Sequence, residues 1–223
     1  MPEPSAESAV GGLACRVEAG ETPCLVVGLE PGQSVVAYAA AVLWREPSVA
    51  ISRGEGETVV LRGPGRAALA RHSGGTVFAM PLAAGDVVQL AGAQMLVAFG
   101  AAVSAERVKG LGDRLTGGDG FRLDRVTAGG QGGVVWVHAA GCVFERGLID
   151  GEMFDVRVAG FLCKDSGVGL EHVFPLQGAG TEFDLVMLRC TGPGRIALQT
   201  GQIVPPQAAA AAPPARRGLL GRR

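Results

Sequence analysis

Three histidines, His72, His138 and His172, are the only imidazoles in the chain. His72 lies nine residues after Gly63 and His138 nine after Gly129, so the two occupy matching positions behind two glycine corners. The third such position, behind Gly192, is Gly201. A transition-metal site takes three or four protein ligands, so this set is one imidazole short. The expectation is turn histidines facing solvent and no bound metal. Five cysteines (Cys15, Cys24, Cys142, Cys163, Cys190) are odd in number and widely spaced, and no two form a Cys-x-x-Cys pair. A zinc ribbon and a dithiol redox site are therefore not readable, and buried or half-buried thiols in a reducing compartment are expected.

Covalent and phosphate chemistry fare no better. No Gly-x-Ser-x-Gly elbow presents a serine nucleophile, and the His-x-His pair with a nearby Glu on which cupin metal sites depend does not occur. Glycine clusters around Gly117 and Gly129 lack the Lys-Ser/Thr of a phosphate loop and read as turns. The expectation is a protein with no catalytic residues, no metal ligands and no cofactor. Single-stranded nucleic acid is bound by a basic groove with aromatic stacking platforms. This chain offers one tyrosine, two tryptophans and two lysines. Trp44 and Trp136 both fall in apolar runs and are expected in the core, so no nucleic-acid partner is expected.

Charge is unevenly placed. The net charge is −1, and four arginines (Arg216, Arg217, Arg222, Arg223) lie in the last eight residues, which leaves −5 on the rest. Those arginines surround Leu219 and Leu220 behind a Pro/Ala-rich spacer, so residues 204–223 read as a tether with a basic tip. This is a candidate docking tail for an acidic protein surface or an anionic membrane surface. No apolar run approaches the ~18 residues that a membrane-spanning helix needs. The start carries neither the basic nor the apolar region of a signal peptide, so a cytoplasmic location is expected.

Elements must hold these residues, and the elements read as strands. With 36 glycines in 223 residues, short apolar runs alternate with turns about every ten residues, the rhythm of an all-β domain. Residues 1–14 are unpatterned and expected to be disordered, and residues 15–203 should form one all-β domain. Two corner types alternate along it. A Leu-x-x-Gly corner followed by Gln, Asp or Glu occurs at Gly32, Gly85 and Gly151. A Gly-Pro-Gly-Arg corner occurs at Gly63 and Gly192, with a degenerate version at Gly129. The alternation predicts three related subdomains in a pseudo-threefold internal repeat. Stretch 34–44 reads as one long strand or a strand pair, and 87–99 as a strand of similar length. Val108, Leu111 and Leu115 are spaced as one face of a helix capped by Ser104, so a short helix or an ordered loop covering a sheet edge is expected over residues 104–115, and any helix is confined to that neighbourhood.

The run Leu25-Val-Val-Gly-Leu-Glu-Pro-Gly-Gln-Ser-Val-Val-Ala-Tyr-Ala-Ala-Ala-Val-Leu-Trp resembles the opening motif of the altered-inheritance-of-mitochondria type twenty-four family. Residues 118–168 resemble its central motif, and Gly192-Pro-Gly-Arg-Ile-Ala-Leu-Gln its closing one. Tyr38, Ala40 and Val42 depart from the acidic residue, glycine and methionine usual in the first motif. The resemblance implies a fold of β-sandwich or double-stranded β-helix-like modules, like that of the tryptophan RNA-binding attenuation protein, which pack in symmetric assemblies. It also implies a role in mitochondrial biogenesis and carries no catalytic residues.

Two readings follow. One is a non-enzymatic scaffold that forms homo-oligomers through strand surfaces such as 35–37 and 95–97, and reaches a partner with its tail. The other is a β-roll that binds a small ligand. Polar groups converging in one pocket would favour the second.

Overall fold

A computed structural model of the chain describes residues 8–71, 74–92, 94–108, 121–176 and 185–201. A hairpin of β1 (Ser8–Val10) and β2 (Leu13–Glu18) precedes eighteen further strands. The first six are β3 (Cys24–Leu29), β4 (Ser34–Tyr38), β5 (Val42–Arg45), β6 (Ala50–Arg53), β7 (Thr58–Arg62) and β8 (Gly65–Ala70). The next six are β9 (Thr76–Leu82), β10 (Val87–Ala91), β11 (Met95–Phe99), β12 (Ala101–Val108), β13 (Phe121–Ala128) and β14 (Gly133–Ala139). The last six are β15 (Val143–Leu148), β16 (Met153–Arg157), β17 (Phe161–Asp165), β18 (Gly169–Leu176), β19 (Leu185–Thr191) and β20 (Gly194–Gln199). The protein is all-β, and among the described residues every strand pairing is antiparallel.

One connectivity occurs three times. In each unit of six, the sixth strand lies between the first and third, as in β3-β8-β5, β9-β14-β11 and β15-β20-β17. The fifth lies between the second and fourth, as in β4-β7-β6, β10-β13-β12 and β16-β19-β18. Each third strand carries an irregularity at the same place, between Val42 and Trp44, Met95 and Val97, and Phe161 and Cys163. The period-2 side-chain alternation of a half-buried strand is plain in β3, where Leu25, Val27 and Leu29 are buried between half-buried neighbours.

The two corner types fix this connectivity locally. Gly32, Gly85 and Gly151 take φ of +85°, +80° and +72°, a left-handed conformation that glycine adopts without steric cost. The residue after each caps its own turn. The backbone N–H of Glu30 donates to Gln33 Oε1 at 2.9 Å, that of Ala83 to Asp86 Oδ2 at 2.8 Å, and that of Ile149 to Glu152 Oε2 at 3.0 Å. The second corner, at the end of the fifth strand, is tied to the first in every unit: the N–H groups of Gly63, Ala128 and Gly192 donate to the carbonyls of Gln33, Asp86 and Glu152. Arg66 and Arg195 of the Gly-Pro-Gly-Arg corners bind back to Glu46 and Asp165, just beyond β5 and at the end of β17. The middle unit has Val134 and Phe99 there, and a longer glycine loop.

Units join through their strands. β4 pairs with β11, and β10 pairs with β17, in one register: Ala37 faces Val97 and Val36 faces Ala98, as Leu90 faces Cys163 and Gln89 faces Lys164. Two six-stranded sheets result, β6-β7-β4-β11-β14-β9 and β12-β13-β10-β17-β20-β15. The remaining strands form a sheet β1-β2-β3-β8-β5 and a sheet β16-β19-β18. Three clusters of buried side chains fill the interior, and the first two each contain residues of the following unit, such as Leu96, Val97 and Trp136 in the first and Leu162, Cys163 and Ala197 in the second.

Three expectations need correction. Ser104 to Val108 are not helical: β12 runs through them in a ladder that pairs with β13 from Ala101 to Val108. A full set of cross-strand hydrogen bonds outweighs a helical spacing already weakened by Gly110 and Gly112; residues 109–115 lie outside the described residues. Residues 8–14 are ordered rather than disordered, because β1 and β2 cover the edge of β3 and bury Leu13; residues 1–7 lie outside the described residues. Stretch 87–99 is two strands rather than one, and 34–44, for which a strand pair is one of the two readings, is also two, parted by a 3-10 turn, Ala39–Ala41; the members of each couple lie in different sheets.

Candidate functional site

The imidazoles do not meet. His138 is fully buried in β14, opposite Val77, so it is not the solvent-facing turn residue expected. Its ladder counterparts are Ala70 opposite Cys24 and Gln199 opposite Val143, so His72 is not its equivalent. The extra residues in the glycine loop after Ala128 displace the spacing by two. His72 lies outside the described residues. His172 stands edge-on to the Phe121 ring, 6.3 Å between centroids. Among the described residues, no three His, Cys, Asp or Glu side chains come together as a metal would require.

The thiols fall into two groups. Cys15, Cys163 and Cys190 are buried and Cys24 is half-buried, whereas Cys142 is exposed. Burial pushes the Cys163 thiol up to about 12 and the Cys190 thiol up to about 11, and it raises Cys24 as well. Because the thiolate is the reactive form, a thiol reagent applied to native protein should modify Cys142 rapidly. The three buried cysteines should react only after denaturation. Mass spectrometry of labelled peptides checks this assignment, and rapid labelling of Cys163 or Cys190 would contradict it.

A cavity of about 430 Å³ lies where the second and third units meet, lined by Phe78, Met80, Leu82, Lys164, Asp165 and Arg195. Three of its charged side chains are engaged with the protein itself, and Glu145 and Ser166 also line it. Lys164 Nζ donates to the Val168 carbonyl at 2.6 Å and to Gln89 Oε1, and Gln89 Nε2 donates to Glu106. Burial pulls the Lys164 ammonium below its usual range. The Arg195 guanidinium holds Asp165 at 3.3 Å. These bonds knit β10, β12, β17 and the turn after β17 together, and they give Lys164, Asp165 and Arg195 structural partners.

The strands at the two ends of the repeat are different. β5 is the terminal strand of its sheet and β16 of its own, although their counterparts in the other units are interior: β11 is paired with β4, β17 with β10, and both β4 and β10 are equivalents of β16. Leu43 is 59% exposed and Trp44 44% exposed, whereas Leu96, Val97 and Leu162 are at 0% and Cys163 at 3%. Trp44 was expected in the core and is not there, because the position it occupies is covered in the other units by the strand of a preceding unit. Trp136 is buried as expected. The faces 35–37 and 95–97, expected to mediate association, are the ones consumed by the internal β4–β11 junction, and Val35, Ala37, Met95, Leu96 and Val97 are buried.

Two charged groups stand on the same edges. Arg45 Nη1 donates to the Val49 carbonyl at 2.8 Å, the place in its turn that Val168 holds for Lys164. Asp155 accepts both Nε and Nη2 of Arg189 at 2.8 Å, which holds its carboxyl below the usual range. Of these residues only Trp44 drew notice in the sequence. Aligning the units on Gly32, Gly85 and Gly151 would have exposed the rest, since it sets Leu43 and Trp44 against Leu96 and Val97. Gly32, Gly63, Gly85, Gly151 and Gly192 stand at the corners described above, and Arg216, Arg217, Leu219, Leu220, Arg222 and Arg223 lie outside the described residues. No helix among the described residues is long and apolar enough to cross a membrane.

The crystal structure of protein SPYM3_0169 from Streptococcus pyogenes is similar over 85% of this chain and 94% of that one, with a TM-score of 0.69 at 17% identity, a likeness of fold. No curated protein matches the chain. The family described as mitochondrial biogenesis AIM24 matches residues 15–201, which spans all three units and nearly every described strand, and the chain belongs to that family.

Proposed function

We propose that this member of the AIM24 family is a non-enzymatic structural scaffold that acts through self-association, with its basic tail serving to dock a protein partner or an anionic membrane surface. The observation that carries this reading is the pair of terminal strands, β5 and β16, whose counterparts elsewhere in the chain are paired, together with the apolar side chains Leu43 and Trp44 left at the surface. Sheet edges of this kind are covered or used in native proteins, and exposed apolar area beside one favours use. His138, Cys15, Cys163 and Cys190 are buried within the strands, which supports a structural reading, and no nucleic acid is part of the proposal.

Light scattering on the full chain tests it. The protein should exceed its monomer mass of 22.7 kDa and dissociate on dilution. A monomer at every concentration would end the scaffold reading. Removing residues 204–223 should leave the oligomer unchanged and weaken binding to anionic vesicles at low salt, since each arginine near such a surface contributes about 1 kcal/mol. A truncated chain that turned monomeric would place the tail inside the interface.

A further inference from the structure

We infer that β5 and β16 are the two halves of a third unit-to-unit junction, and that a second copy of this chain completes it. The inference rests on the scaffold reading and names the surface. Inside the chain, the second strand of one unit pairs with the third strand of the next, twice, in one register. The same rule applied once more sets β16 against β5, with Val156 opposite Trp44 and Asp155 opposite Arg45. Among the described residues neither edge has that partner.

The side chains fit the missing pairing. At the two existing junctions, one cross-strand pair is apolar on the core side: Ala37 with Val97, and Leu90 with Cys163. Val156 with Trp44 continues this series, and Val156 already sits in the third cluster. Docking would bring Trp44 into that cluster, as Val97 enters the first and Cys163 the second. The neighbouring pair is Val36 with Ala98 at one junction and the hydrogen-bonded Gln89 with Lys164 at the other. Asp155 with Arg45 makes the third of these an opposite-charge pair, the favourable arrangement for directly opposed residues. A second copy offers both edges at once, so two copies exchanging them leave neither β5 nor β16 unpaired, and each resulting sheet reads β18-β19-β16 of one copy followed by β5-β8-β3-β2-β1 of the other.

Charge exchange in the full chain tests the junction. Arg45→Asp and Asp155→Arg should each weaken self-association about tenfold or more, because each sets like charges against one another. Mixed in equal amounts the two variants should recover it, since every junction between unlike copies is again oppositely charged. A second measurement does not depend on those variants being well behaved. Directly opposed strand residues have Cα atoms about 4.5–5.5 Å apart, within disulfide range. In a Cys142→Ser background, chains carrying Arg45→Cys mixed with chains carrying Asp155→Cys should oxidise to a cross-linked pair of copies, and neither variant alone should do so through these positions. If a single chain carrying both Arg45→Cys and Asp155→Cys oxidises as a monomer and the mixture forms no cross-linked pair, the edges close within one chain and the inference is wrong. If the wild type associates but neither charge variant weakens it, the junction is wrong while the scaffold reading stands. A wild type that never associates overturns both.

Discussion

Replacing Trp136 by alanine is expected to cost about 3–5 kcal/mol, the range for deleting a large buried aromatic side chain, and to lower the melting temperature by roughly 6–20 °C for a chain of this size. Trp136 is 1% exposed in the middle of β14, opposite Ala79 on β9 and Val97 on β11, and belongs to the first buried cluster with residues of the preceding unit. Its counterparts are Ala68 and Ala197, so in the middle unit alone this position carries a large side chain. The third-strand partner varies in compensation: Trp44 faces Ala68, Val97 faces Trp136, and Cys163 faces Ala197. Each tryptophan therefore occupies one side of the same cross-strand pair, in different units. The consequences diverge. Trp44→Ala should change the stability of the separate chain by less than about 1 kcal/mol, in line with surface substitutions, and lose its effect in association instead. Urea unfolding of both variants at concentrations that keep the chains apart measures the difference. Equal losses would mean that the surroundings of the two tryptophans are alike, contrary to their burial.

The two tryptophans also show what the sequence could reveal. Both sit in apolar runs, and a run says that a residue can be buried without saying what buries it. For Trp136 the cover comes from the same chain; for Trp44 no strand among the described residues provides one. The corners were legible because their chemistry is local: a positive φ, a proline and a capping carboxylate or amide are properties of four consecutive residues. Strand-to-strand junctions are decided far along the chain, so Val35 and Met95 were read as surface when they face one another's strands. The helical spacing at Val108 was legible and misleading, since a weak local preference lost to a long ladder with β13. His138 shows the same limit in a finer form, because a glycine loop longer than its counterparts moved the register by two and created a false match with His72.

The corners divide into two kinds that respond to substitution in opposite ways, and this yields a second large effect. Gly63 and Gly192 are glycine because there is no room. A Cβ on Gly63 would stand 2.7 Å from the Leu29 carbonyl oxygen and 2.8 Å from the Leu29 Cβ, and one on Gly192 would stand 2.9 Å from the Leu148 Cβ while overlapping the Ile149 carbonyl oxygen. These are backbone atoms and the root of a side chain in the facing strand ends, so relief requires moving β3 from β8 or β15 from β20. Alanine at either position should cost about 3 kcal/mol, at the upper end of overpacking. Gly32, Gly85 and Gly151 are glycine because of conformation. Their φ values are positive, and a Cβ there would meet nothing within 4 Å. Alanine at these positions should cost only the left-handed penalty of about 1–2 kcal/mol. Asparagine separates the two causes, since it tolerates the left-handed region better than alanine but is larger. Gly151→Asn should therefore be more stable than Gly151→Ala, while Gly192→Asn should be less stable than Gly192→Ala. Denaturation midpoints of the four variants, compared at constant m, give the answer. Should asparagine beat alanine at Gly192 too, conformation rather than close approach would govern that corner, and the tight contact between the ends of β15 and β20 would lose its role in setting the third unit.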